Sequence, residues 1–246
     1  KFIKKIAKKD GVSVPQIYAV AMVFTKDKQQ LKTFEEICDK NDLKILLVRD
    51  VPINTEALGI LAKETLPNII QIIITPSSLM STNRFDAMVY LSRKEIEHAL
   101  EKDEDFYISS FSSKTLSYKG LVMPTHIKEF YCDLSDKDFE VSFSLFHQRF
   151  STNTLPKWRL AQPFRAIAHN GEINSITANR FNAKVKCESI KSEIFSDEEI
   201  RRILPLLEEG VSDSASLDNM FEFLIANGMD FFKAARALIP APWQNA

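Results

Sequence analysis

The chain is poor in the features that mark disulfide scaffolds, membrane proteins and nucleic-acid binders. Its three cysteines, Cys38, Cys132 and Cys187, lie far apart and form no C-x-x-C pair. That spacing excludes a disulfide framework and points to a reducing, cytoplasmic setting. Charge of one sign is equally lacking. The 32 basic and 33 acidic residues nearly cancel, which removes the electrostatic case for nucleic acid or an anionic membrane as partner. The strongest apolar run, Ile69 to Ile74 with Gln71 inside it, falls far short of the roughly 20 residues needed to cross a bilayer. No secretory leader, internal repeat or low-complexity tract is visible. His98, His126, His147 and His169 include no pair at metal-ligand spacing, so no metal site is expected.

What is present suffices for one large domain or two small ones with a substantial core, at 246 residues. The first part alternates helical and strand patterns. Phe2, Ile3 and Ile6 read as helix, Tyr18 to Phe24 as a buried strand, and Leu31, Phe34, Ile37 and Cys38 recur at helical spacing. Ile45 to Val48 and Ile69 to Ile74 read as strands, and Phe85, Met88, Val89, Ser92, Ile96 and Ala99 mark one face of a longer helix. From about Asp105 the pattern changes. Phe106 to Phe111 and Thr115 to Met123 predict paired strands, and Pro124 is expected to open a short helix ending near Tyr131. Val141, Phe143 and Leu145 alternate with serines as in a half-buried strand, and Phe164 to Ala168 is evenly apolar as in a central one.

The last third turns helical. Helix is predicted over Ile173 to Val185, and Ser196 with Glu199 forms a capping-box pattern whose helix Pro205 should end. Leu217, Met220, Phe221, Leu224 and Ile225 make an apolar stripe that Gly228 can close.

Polar residues concentrate between His147 and Asn179. His147-Gln148-Arg149-Phe150-Ser151-Thr152-Asn153-Thr154 follows one predicted strand, and Ala168-His169-Asn170-Gly171-Glu172-Ile173-Asn174 follows another. A guanidinium can hold a carboxylate with two parallel hydrogen bonds. An Asn amide beside a glycine N–H can hold a developing oxyanion. Each residue also has a plainer reading: Arg149 as an ion-paired arginine, Asn170-Gly171 as an ordinary turn, and Asp213 within Ser212-Asp213-Ser214 as a helix cap. Together they suggest a site for an amino acid whose carbonyl is attacked.

These two segments, with Asp105-Phe106-Tyr107, Tyr118-Lys119-Gly120-Leu121, Met123-Pro124, Ser212-Asp213-Ser214, Leu217-Asp218-Asn219 and Pro242-Trp243-Gln244-Asn245, run through essentially the whole chain. On them the chain resembles the glutaminase domain of the glutamate synthase large subunit. That domain is a class II glutamine amidotransferase of the N-terminal-nucleophile hydrolase type. Ser175, Ala178 and Val211 stand where that family usually has Thr, Gly and Gly.

The resemblance implies an α+β fold, an αββα sandwich that is incomplete here. Residues 1–246 would be a partial amidotransferase domain, with 1–104 a peripheral βαβα segment and 105–246 the sandwich core. It implies that Arg149 grips the α-carboxylate of L-glutamine, with Thr152 adding a hydroxyl. Asp213 would face the α-ammonium, and Asn170 with the Gly171 N–H would form the oxyanion hole, all in one cleft. The family's nucleophile is an N-terminal cysteine whose own amine is the base. This chain starts at Lys1 and carries no such cysteine, so it is expected to be an internal piece, inactive alone. His147 and His169 are then packing or supporting residues.

By the same resemblance, ammonia passes to other domains of the parent chain. Those bind FMN and an iron–sulfur cluster, and an electron-donating small subunit is a further expected partner. Neither cofactor has a site among three dispersed cysteines. Two other readings stay open on the residues: a catalytically silent glutamine-binding or assembly module, and a hydrolase using an internal cysteine.

Overall fold

The computed structural model describes residues 1–148, 156–169, 173–187, 189–207 and 211–239. It divides into two compact units, Lys1–Pro163 and Phe164–Ala246, each described by itself.

The first unit is built on an antiparallel sheet. Helix α1 (Phe2–Lys9) leads to β1 (Ala19–Thr25), α2 (Gln30–Lys40) and β2 (Leu43–Asp50). The short α3 (Ile60–Glu64) precedes β3 (Asn68–Pro76), α4 (Thr82–Ala99) and β4 (Tyr107–Ser112). The four strands lie in the order β2-β3-β1-β4. β1 therefore pairs with β3 and β4 while β2 sits beyond β3, a split β-α-β-β-α-β pattern. β4 lies past residue 104 yet pairs with β1, so the sheet crosses that position.

β1 is buried at every residue because both faces of the sheet are covered. Strand alternation separates Ala21 and Val23 from Met22 and Phe24. Ala21 pairs with Phe111, whose ring stacks on Phe34 of α2 at 5.4 Å, so α2 and α4 cover that face. On the other face Met22, Phe24 and Ile69 pack with Val51, Phe130, Tyr131 and Trp158. Continuous apolar runs such as Ile69 to Ile74 follow from this double cover.

Irregular chain from 113 to 135, with α5 (Ile127–Phe130) inside it, closes that second face. Thr115 to Met123 does not form the predicted strand. Its residues make side-chain ties instead. Tyr118 donates to Asp133 at 2.7 Å, and the Arg49 guanidinium also meets Asp133 while its Nε donates to Gln71 at 2.9 Å. Burial, with the Asp133 charge, pushes the Tyr118 hydroxyl pKa upward. Buried Lys119 donates to the Tyr107 hydroxyl at 3.1 Å and to the Arg159 carbonyl at 3.3 Å.

Gly120 lies under the Trp158 ring, where an added Cβ would come within 2.3 Å of Cζ3. Gly120→Ala is therefore expected to destabilise the first unit by about 1–3 kcal/mol through overpacking. A lower urea midpoint at unchanged slope would report it; an unchanged midpoint would mean that the indole shifts freely.

Val141, Phe143 and Leu145 also depart from the expected strand. They are exposed, and no strand among the described residues pairs with them. Among the described residues no helix is long and apolar enough to cross a membrane.

The second unit contains α6 (Ile176–Cys187), α7 (Asp197–Ile203), α8 (Asp213–Ala226) and α9 (Phe231–Leu238). The Ser196–Glu199 capping box is present, and α7 stops before Pro205. Gly228 follows α8 with φ 85°, a conformation glycine adopts without steric cost. The segment 164–168 is no strand. Its amides turn to a side chain of α8, so they are unavailable to a ladder.

Candidate functional site

α8 organises the described part of the site. Its cap is Ser212, whose hydroxyl accepts the Ala215 N–H at 3.1 Å. Asp213 is thus the first helical residue, where the helix dipole favours a carboxylate. Its Oδ2 accepts the Ile173 N–H at 2.7 Å, and Oδ1 accepts the Ser214 N–H at 2.6 Å and the Ser214 hydroxyl at 3.1 Å. Burial acts to raise the Asp213 pKa. The hydrogen bonds from Ile173 and Ser214, with the nearby His169, outweigh it and hold the carboxyl below its ordinary range. Asp213 is therefore a fixed anion, half-buried at the start of a helix.

The Ser214 oxygen also meets His169 Nδ1 at 2.9 Å. One turn on, Asp218 is buried, and its carboxylate accepts the N–H groups of Arg165, Ala166 and Ile167 at 3.2, 2.8 and 2.9 Å. Arg180 of α6 donates to the Ser216 hydroxyl at 3.0 Å and to the Val211 carbonyl at 2.6 Å. The buried face of α8 accordingly carries Ser214, Ser216, Asp218 and Asn219 beside Phe221 and Phe223. Of the predicted apolar stripe, Phe221 is buried, Leu217, Met220 and Leu224 are half-buried and Ile225 is exposed.

Of the residues expected at the site, only Asp213 is described. Arg149, Thr152, Asn170 and Gly171 lie outside the described residues, as do the Phe150 to Thr154 motif, Glu172 and the Pro242 to Asn245 motif. His169 contacts the Ser214 hydroxyl. The contacts that Ser214 and Asp218 make are not visible in the sequence pattern. The available signal was Asp218 itself, a poor helix former set within an apolar helical segment.

The described residues do not fit an iron–sulfur cluster, which needs several thiolates around one point. Cys38 is buried on α2, and that burial, with the charges of Asp39 and Glu35, pushes its thiol pKa upward. Among the described residues no three His, Cys, Asp or Glu side chains gather as metal ligands.

The chain is similar to the glutamate synthase [NADPH] large chain of Bacillus subtilis (strain 168), 36% identical over 98% of this chain and 16% of that protein. It is similar to ferredoxin-dependent glutamate synthase 2 of Synechocystis, 37% identical over 86% of this chain and 13% of that protein. It is also similar to the glutamate synthase [NADH] of Schizosaccharomyces pombe, 34% identical over 99% of this chain and 12% of that protein. The chain thus spans 12–16% of the length of these relatives. The family described as class II glutamine amidotransferases matches residues 1–246. Matched along its whole length, the chain belongs to the class II glutamine amidotransferases.

Proposed function

We propose that this chain belongs to the glutamine-cleaving part of a glutamate synthase. The family's αββα sandwich is the proposed setting, supported by the family match. In this reading the Arg149 guanidinium, helped by the Thr152 hydroxyl, takes the glutamine α-carboxylate. Asp213 takes the α-ammonium. Its fixed negative charge suits that role, and a carboxylate that accepts three protein hydrogen bonds still has lone-pair capacity for a cation.

Attack on the side-chain amide carbon drives negative charge onto its oxygen. The Asn170 amide and the Gly171 N–H hold that oxygen, ammonia leaves, and water releases glutamate from the acyl-enzyme. The nucleophile is assigned to the family's N-terminal cysteine. Cys38 and Cys187 are not proposed for it, because burial raises both thiols. Ammonia is then used on 2-oxoglutarate by other domains of the parent, with FMN and an iron–sulfur cluster outside this chain. The relatives' names give NADPH, ferredoxin and NADH in turn. An electron-donating small subunit is the proposed partner chain.

The observation that carries the reading is in α8. Ser214 meets His169 and Asp213 holds Ile173, so one helix pins the chain on both sides of residues 170–172. Arg149→Lys in the full-length gene product tests it. Lysine keeps the charge but loses the two-pronged geometry, so KM for glutamine should rise about 10–100-fold. The ammonia-dependent rate should not change. Equal loss of both rates would make Arg149 a structural residue.

A further inference from the structure

Asp218 is a costly residue for its place. It is 1% exposed on α8, among residues that could have been apolar. A buried carboxylate is tolerated only when it is well partnered. Here Oδ1 accepts from Ala166 and Ile167 and Oδ2 from Arg165, so three successive backbone N–H groups converge on one side chain. Successive amides arranged in this way form a concave anion-binding nest, filled here by the protein's own carboxylate. The Phe164 N–H donates to the Ile167 carbonyl at 2.9 Å, which closes the turn on itself. Directional, charge-assisted bonds of this kind fix a backbone more tightly than apolar packing can.

The tie is one of a series. Two residues after Ile167, His169 meets Ser214; further on, the Ile173 N–H meets Asp213. All these partners are on Asp213, Ser214 and Asp218, a single stretch of α8. The chain leaving the Asp218 nest reaches Asn170-Gly171 within three residues.

We infer that Asp218 is a positioning residue for glutamine cleavage, holding the Arg165–Ile167 backbone from which the chain enters Asn170-Gly171. The inference rests on the proposed oxyanion role of that pair. Oxyanion donors act by being preorganised, and misplacement by about 1 Å can cost on the order of 10²-fold in rate. Asparagine at 218 offers one oxygen to three donors and turns an NH2 group toward them.

The test is Asp218→Asn in the full-length gene product, with two readouts. Amide hydrogen exchange at 165–167, measured without substrate, should lose at least about tenfold in protection as the tie to the helix opens. The kcat for glutamine should fall about 10²-fold, with KM for glutamine and the ammonia-dependent rate unchanged. Unchanged protection would overturn the tether. Lost protection with unchanged kcat, or kcat falling together with the ammonia-dependent rate, would overturn the positioning role.

Should Asp218→Asn fail to fold, Asp218→Glu keeps the charge but displaces the carboxylate by one methylene. An intermediate kcat is then expected, and a wild-type kcat would overturn the inference. If Asn170→Ala leaves glutamine turnover intact, the oxyanion reading fails by itself. Hydrogen exchange then still decides whether Asp218 holds the 165–167 backbone.

Discussion

Asn170→Ala in the full-length gene product is expected to lower kcat with glutamine about 10²–10³-fold. The proposed reaction builds charge on the amide oxygen only as the nucleophile attacks. A donor aimed at that charge contributes little to the bound substrate and much to the transition state. KM should therefore stay near its wild-type value, which separates this variant from Arg149→Lys. Free ammonia bypasses the step, so ammonia-dependent glutamate formation should proceed at the wild-type rate. Steady-state assays with each nitrogen source read both quantities. Parallel loss of the two rates would place Asn170 in the fold rather than in the chemistry.

The second large effect is expected at Asp213. Asparagine there keeps one carbonyl oxygen for the Ile173 N–H, which the carboxylate now accepts at 2.7 Å, but removes the charge. Truncating one member of a hydrogen-bonded charge pair typically costs 2–5 kcal/mol, so kcat/KM for glutamine should fall by about 10²-fold or more. The pH dependence follows from the same carboxyl. Its folded pKa is depressed, by hydrogen bonds that outweigh burial. Its contribution to stability is therefore fully present above the unfolded value of about 3.9, and is lost as pH falls through the lower folded value. Between pH 6 and 8 Asp213 stays ionised, so it should add no inflection to the pH profile of glutamine binding. Substituting it should change the height of that profile and leave its shape.

Local signals were legible in the sequence, and long-range partners were not. The Ser196–Glu199 capping box and the Gly228 helix end depend on residues within a turn of one another, so pattern reading reached them. β1 and β3 were legible because double cover of the sheet writes continuous apolar runs. Phe164 to Ala168, apolar but for Arg165, is no strand. What distinguishes it is Asp218, about fifty residues away, which takes its amides. Val141, Phe143 and Leu145 alternate as a strand would, but periodicity names a face and supplies no partner.

The α8 stripe failed in part for a related reason. Hydrogen bonds make Ser214 and Asp218 suitable for burial, while Ile225 of the stripe is exposed. At the site, motif resemblance named Asp213. The contacts of Ser214 and Asp218 needed the folded chain, because their partners lie 45 and 51–53 residues away.

The role of Asp213 is tested by comparing glutamine with its des-amino analogue, 4-carbamoylbutanoate, as substrates of the full-length gene product and of its Asp213→Asn variant. A site that pairs a charged group with the α-ammonium rejects the analogue by about 10⁴-fold in kcat/KM. That discrimination is expected in the wild-type protein, and its collapse to within about tenfold in the variant. Equal discrimination by both proteins would contradict that role.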